Sequence, residues 1–252
     1  MACWGSKAPH RVPVSQLLRP AWLLTHLLVV AAIFVMTGLG IWQLRRLDDR
    51  QTENKLIEER MAQPAGALLE VVDLAEPEAS VHMTVEASGI FEPGKEVYVA
   101  NRTRDGRPGV NVVTLFEFDS GALAVDRGFL PRQAYLGGDY RYWATPGDEV
   151  IVTGQVRTTR NSRGGIGDEI DVIDLAKLSE HWTVPLLPVY IEAISGATVA
   201  DYPLGPQLPD LTGGPHLGYA VQWFVFAVIA LIGYPLVLTR IARDVRLGVE
   251  AT

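Results

Sequence analysis

The 25 residues from Pro20 to Leu44, PAWLLTHLLVVAAIFVMTGLGIWQL, carry no charged side chain. A helix needs about 20 apolar residues to cross the hydrocarbon core of a bilayer, so this run is long enough to span it. A second uncharged run lies between Asp210 and Arg240, and its apolar part, LGYAVQWFVFAVIALIGYPLVLT, starts at Leu217. Any fold of this chain has to keep both runs out of water. The expectation is an α+β membrane protein: transmembrane helices over 20–44 and 215–239, tails over 1–19 and 240–252, and a water-facing domain over 45–214. The first run is too long for the apolar core of a signal peptide. Trp22, Trp42, Tyr219, Trp223 and Tyr234 stand toward the ends of the two runs, several of them at interfacial depth. Pro235 predicts a kink near the inner end of the second helix.

Charge sets the expected orientation. Arg240, Arg243 and Arg246 follow the second run, whereas Lys177 is the only basic residue between Arg163 and Arg240. Basic flanks stay on the cytoplasmic side, so the C-terminus is expected there. Two spans bring the N-terminus to the same side and turn the middle domain outward. The expected location is a bacterial plasma membrane, with a mitochondrial inner membrane as the alternative. The segment 45–214 holds 16 Lys and Arg against 27 Asp and Glu, a net of −11. That balance argues against nucleic acid, whose binding needs a positive footprint. A single cysteine, Cys3, leaves no internal disulfide and no cysteine-rich metal pattern.

Residues 46–62 are strong helix formers and extend the first helix beyond the membrane. Thereafter short strands dominate. Val81, Met83, Val85 and Ala87 alternate with polar neighbours, and Pro93-Gly94 reads as a turn before a strand over Glu96–Ala100. Val110–Phe118 and Ala122–Arg127 form a hairpin around Asp119-Ser120-Gly121. Glu149–Val156 and Val189–Ile194 are further strands, and Asp171–Trp182 is a short helix capped by Asp171 or Asp174. The sum is a mainly antiparallel barrel or sandwich with short helices. Arg160–Gly167 reads as a mobile loop.

Little in the domain suggests catalysis. It has no Gly-x-Ser-x-Gly elbow, phosphate loop, His-Glu-x-x-His or cysteine nucleophile, and the expectation is that this is not an enzyme. His82 falls at a polar strand position and reads as solvated. His181 ends a helix, where a cation suits the dipole. His216 and His26 differ, because an ionisable group at membrane depth is by default a functional candidate. His216 opens the second run and reads either as an interfacial anchor or as an axial haem ligand. His26 lies 18 residues before Leu44, about 27 Å along a helix, so the two histidines sit near opposite faces of the bilayer. Arg102, Arg104, Arg107 and Arg127 are candidates for ion pairs or an anion site. Asn101-Arg102-Thr103 matches a glycosylation acceptor.

Three ordered segments carry a resemblance. They are Gly40-Ile41-Trp42-Gln43-Leu44-Arg45-Arg46, Val125-Asp126-Arg127-Gly128-Phe129-Leu130-Pro131, and His216-Leu217-Gly218-Tyr219-Ala220-Val221-Gln222-Trp223-Phe224. Together they resemble the surfeit locus protein one family, assembly factors for haem-copper cytochrome c oxidase. The resemblance covers nearly the whole chain outside residues 1–18 and 244–252. It implies partnership with cytochrome c oxidase, chiefly subunit I, and handling of haem a. His216 would be the iron ligand, with Trp42 and Trp223 against the ring. Gly40, Gln43, Arg46, Arg127, Gly128 and Tyr219 are the remaining motif positions. The alternative is an accessory protein that binds no haem and stays with the oxidase or a respiratory supercomplex. Two departures matter. Phe129 stands where the family has tryptophan, which keeps an aromatic. Gly213-Gly214-Pro215 stand where asparagines are typical, which removes amide partners beside His216.

Overall fold

The computed structural model describes residues 20–198, 201–207 and 209–247. The tail bearing Cys3 and His10 lies outside them. The chain divides into two compact units, one made of the helical ends and one spanning Lys55–Asp210.

Helix α1, most of it in the first unit, runs unbroken from Pro20 to Met61, 42 residues. The same helix that holds the apolar run therefore continues through the charged stretch, as its composition predicts, and it stops just before Pro64. The C-terminal helix (α5) covers His216–Leu247, 32 residues with Pro235 inside. Pro235 has no N–H to give to the carbonyl four residues back. Both helices are long and apolar enough to cross a membrane, each with a mean hydropathy of 2.2 in its most apolar stretch. Large apolar side chains face outward all round, including Leu27 at 64% and Phe34 at 74% exposure. A helix apolar on every side needs a non-aqueous surround. The helices run antiparallel, because His26 meets Tyr234, Gly40 meets Phe224 and Gln43 meets His216. Asn54 closes this unit by donating to the carbonyls of Leu211 (2.7 Å) and Thr212 (3.0 Å).

The second unit is built on five long strands. After a two-residue strand β1 (Gly66–Ala67) and a single helical turn α2 (Leu68–Val71) come β2 (Thr84–Arg104), β3 (Arg107–Phe118) and β4 (Gly121–Pro131). Helix α3 (Arg132–Gly137), β5 (Val150–Thr158), the short β6 (Glu169–Ile170), α4 (Leu175–Trp182) and β7 (Leu186–Ser195) follow. The sheet order β2-β3-β4-β7-β5 returns to β2 through a β2–β5 pairing, so the strands close a barrel. The barrel is not purely antiparallel. Strand β7 enters beside β4 in parallel, and β1 and β6 also pair in parallel with β2. The β4–β7 pairing became possible because the chain between them crosses away through β5 and α4.

Two local readings need correction. Strand β2 is one 21-residue strand, not two strands around a turn. Pro93-Gly94 sits in a register shift between Phe91 and Glu96, so the extra residues bend the strand without ending it. At its far end Asp105-Gly106, with φ 51° and 74°, makes the tight turn into β3. Val81 and Met83 precede β2, which starts only at Thr84. The 160–167 loop, read as mobile, is pinned: Ser162 N–H donates to Asp174 (2.9 Å), and Lys177 Nζ donates to the carbonyls of Ser162 (2.7 Å) and Gly164 (2.6 Å).

Alternation along the strands divides the core. One face gathers Phe91, Phe116, Leu123, Val125 and Ile191 inside the barrel. The other carries Val97, Val113, Leu115 and Ala124 under Leu178 and Trp182 of α4, whose N-cap Asp174 accepts from Lys177 N–H. Burial on both faces explains why β3 and β4 read as nearly continuous apolar runs.

Candidate functional site

Residues that the sequence singles out gather in both units. In the helical unit, His216 is the first residue of α5, and its Nδ1 lies 2.9 Å from Gln43 Oε1. An amide oxygen only accepts, so Nδ1 carries the proton and donates. The Nε2 lone pair is then the ring's free basic site. Partnering one ring nitrogen to define the other is how proteins prepare a histidine ligand. The loss of amide partners expected from Gly213-Gly214-Pro215 is thus made good from α1. One turn along, a Cβ on Gly40 would lie 2.7 Å from Phe224 Cε1. Glycine there lets the two helices approach closely enough for Gln43 to reach the imidazole.

The other motif residues spread out from this contact. Trp42 is 52% and Tyr219 49% exposed on the helix surfaces, and Arg46 is exposed. Trp223 is half-buried and meets Phe226 edge-on at 6.1 Å. His26 does not approach His216. Its Nδ1 lies 2.5 Å from Tyr234 hydroxyl, and its ring stacks near Trp22 at 6.2 Å. No group of three or more His, Cys, Asp or Glu suited to a metal occurs among the described residues. His216 Nε2 and the rings of Trp42 and Trp223 belong to the same pair of helices, α1 and α5.

In the barrel, Leu123, Val125 and Arg127 share the inward face of β4. Arg127 is 1% exposed. Its Nε donates to Ala197 carbonyl (2.8 Å), one terminal nitrogen to Glu96 (3.0 Å), and the other to the carbonyls of Trp143 and Ala144 (both 2.7 Å). Its guanidinium also stands 5.6 Å from the Phe91 ring centroid. Burial pulls this guanidinium below its ordinary pKa, and the Glu96 carboxylate pushes it back up. Glu96 is itself held by the hydroxyls of Tyr98 (3.2 Å) and Tyr140 (3.0 Å). Burial pushes the Tyr98 phenol upward, reinforced by Glu96. Gly128 follows with φ 116°, where a Cβ would lie 2.1 Å from Leu204 carbonyl oxygen. That close approach lets Phe129 and Leu204 exchange two 2.8 Å backbone hydrogen bonds and ties the last loop to β4. The cluster binds four chain segments together, which is a structural task.

Asp126 points to the opposite face of β4. It is 5% exposed, accepts from Asn111 Nδ2 (2.8 Å) and Gly128 N–H (2.9 Å), and lies opposite Glu192 of β7 in register. Burial pushes its carboxyl up to about 6, against the hydrogen bond from Asn111 that lowers it. Asp126 lines a cavity of about 540 Å³ with Arg102, Arg104, Arg157 and Arg160. His82 also lines it. It is not a solvated strand residue: it sits half-buried in a left-handed bend (φ 71°), with its ring against the Arg157 guanidinium. The four arginines named from sequence therefore part company. Arg127 is inside the barrel, Arg102 and Arg104 line the outer cavity, and Arg107 is exposed on the turn. His181 stands exposed in the last turn of α4. The contributions of Arg157 and Glu192 had no local signal, since they sit on different strands, β5 and β7. Glu96 as the partner of Arg127 was equally hidden.

A family model described as the SURF1 family matches residues 30–228. An uncharacterised SURF1-like protein of Mycobacterium tuberculosis is 29% identical over 231 residues, covering 86% of this chain and 83% of its own. A SURF1-like protein of Monosiga brevicollis is 27% identical over 220 residues, covering 78% and 81%. One from Rickettsia felis is 24% identical over 223 residues, covering 83% and 95%.

Proposed function

Because this chain belongs to the SURF1 family, we propose that it is a membrane-anchored assembly factor for haem-copper cytochrome c oxidase that presents haem a to subunit I. The observation that carries the reading is the Gln43–His216 hydrogen bond, which fixes the imidazole tautomer and leaves Nε2 free beside two apolar helices. When bound, haem a would supply the iron that Nε2 ligates. Gln43 holds the ring in one orientation and keeps the proton on Nδ1. Gly40 sets the helix spacing that makes this contact possible. Trp42 and Trp223 offer aromatic surface for an apolar ring. His26 is engaged with Tyr234, which supports His216 over His26 as the ligand from this chain. A group held through one strong bond is released by breaking one, which suits delivery over storage. The two apolar helices and the arginines after the second support a multi-pass bacterial plasma-membrane protein with both termini cytoplasmic.

The test is an optical spectrum of the full-length protein purified from cells that make haem a, beside the oxidase content of their membranes. His216→Gln and His216→Ala are expected to lose the haem absorbance and lower oxidase content, while the protein still inserts. Full haem content and full oxidase in His216→Gln overturn ligation. Co-purification with mature oxidase by a protein that carries no haem would instead support the accessory, non-haem role, with or without a supercomplex.

A further inference from the structure

The barrel domain is strongly acidic, yet one of its cavities is not. Four arginines, Arg102, Arg104, Arg157 and Arg160, line the cavity of about 540 Å³, against two carboxylates, Asp126 and Glu192. With His82 neutral, four positive and two negative charges leave a net of +2. Within a segment whose own net is −11, this is an inversion of sign. The internal pairings do not consume it. Arg157 is taken by Glu192 (2.8 Å) and Gln155 (3.1 Å), and Arg104 by Gly205 carbonyl. Asp126 has its two oxygens filled by Asn111 and Gly128. Arg102 and Arg160 form no side-chain hydrogen bond or salt bridge among the described residues.

The backbone places these two arginines deliberately. A register shift in β2 between Val99 and Arg102, with Asn101 in the left-handed region (φ 57°), re-aims the strand at Arg102. Arg160 N–H is fixed to Ile173 carbonyl (3.1 Å) at the start of the pinned loop. Between them the wall is not wholly polar: Val172, Ile173, Phe129 and Tyr190 also line the cavity. The volume falls in the range of about 300–1,000 Å³ typical of small-molecule sites. A bare inorganic oxyanion fills only a fraction of it.

We propose that this cavity is a binding site for a small organic anion, its carboxylate or phosphate held by Arg102 and Arg160 and its body laid against Tyr190, Phe129 and Ile173. Arginine suits the head group because its planar fork meets an oxyanion through two parallel hydrogen bonds. The Arg157–Glu192 pair and buried Asp126 form a fixed polar floor that disfavours a second acidic group, so a single compact oxyanion head with an apolar or aromatic body fits best. The site is independent of the oxidase reading, because it uses only barrel residues.

The experiment is isothermal titration calorimetry of the full-length protein in neutral detergent, with phenyl phosphate and benzoate as probes. Inorganic phosphate and benzyl alcohol test head and body alone. Saturable binding of phenyl phosphate or benzoate is expected, weaker binding of inorganic phosphate, and none of benzyl alcohol. Which of the two aromatic anions binds tighter distinguishes a phosphate from a carboxylate ligand. Arg102→Gln with Arg160→Gln is expected to weaken binding at least tenfold without lowering the melting temperature, since both side chains are exposed. No saturable binding of either aromatic anion, binding of benzyl alcohol as tight as benzoate, or unchanged affinity in the double variant overturns the proposal.

Discussion

Arg127 and Asp126 are neighbours with opposite fates, and one bond of strand alternation separates them. Arg127 turns into the barrel and finds Glu96 and three carbonyls; Asp126 turns out and finds Asn111 and a cavity wall. Removing one member of a buried charge pair leaves the other uncompensated, which typically costs about 3–5 kcal/mol. Arg127→Ala is therefore expected to lower the unfolding free energy of the barrel by about that amount, read from denaturant melts, and Arg127→Lys by less. Unchanged melting in Arg127→Ala would show that the pair is dispensable. Asp126 carries a pH signature. Its folded pKa is raised from 3.8 to about 6 by burial, so the folded state holds the proton more tightly than the unfolded chain. The sign is then a cost: absent below about pH 4, it grows as pH rises to about 6 and is fully present above that, on the order of 3 kcal/mol. Asp126→Asn removes this titration. The stability of the variant relative to wild type is expected to rise between pH 4 and pH 7, measured by unfolding at several pH values. A difference that stays flat across that window would show that the carboxyl is not perturbed.

Helices α1 and α5 were legible because an uncharged run of such length has few solutions, and α1 continued through 46–61 because nothing before Pro64 interrupts it. The β3–β4 hairpin was legible for a similar local reason, a turn sequence between two apolar runs. Strand β2 was misread because Pro93-Gly94 signals a turn and a bulge alike, and only the partner strand decides between them. Asp105-Gly106 passed unnoticed although Asp-Gly is a strong hairpin signal; Arg104, Arg107 and Pro108 around it obscure the alternation. The parallel β4–β7 pairing has no local trace, since register there is set by residues more than 60 positions apart, such as Val125 and Ile191. Likewise His216 stood out by its place at the edge of an apolar run, but Gln43 as its partner depends on helix pairing. That pairing makes a prediction at this scale. Gly40→Leu forces Phe224 aside, whereas Gly38, whose Cβ would meet nothing within 4 Å, tolerates the same change. In detergent, Gly40→Leu is expected to melt lower than wild type and Gly38→Leu to melt like it. Equal melting of the two variants would mean that the helices do not depend on this contact.

At the scale of the molecule, the proposed topology is testable directly. Gly138 is the exposed cap of α3, and residue 247 ends the described part of α5. Alkaline phosphatase inserted at Gly138 is expected to be active, and the same enzyme fused after residue 247 inactive. Activity in the opposite pattern would reverse the orientation. The barrel's closure has a further meaning for how the chain comes to be folded. Strand β7, among the last segments made, is inserted between β4 and β5, two strands synthesised earlier. Until residues 186–195 arrive, β4 offers the unpaired edge Ala122–Asp126 and β5 offers another, both partly apolar. A nascent or truncated chain ending before Leu186 thus exposes two adhesive edges, while the finished ring has none. The vulnerable interval lasts until residues 186–195 are made and paired, and a holdase active in that interval would cover edges that added stability in the native state does not reach.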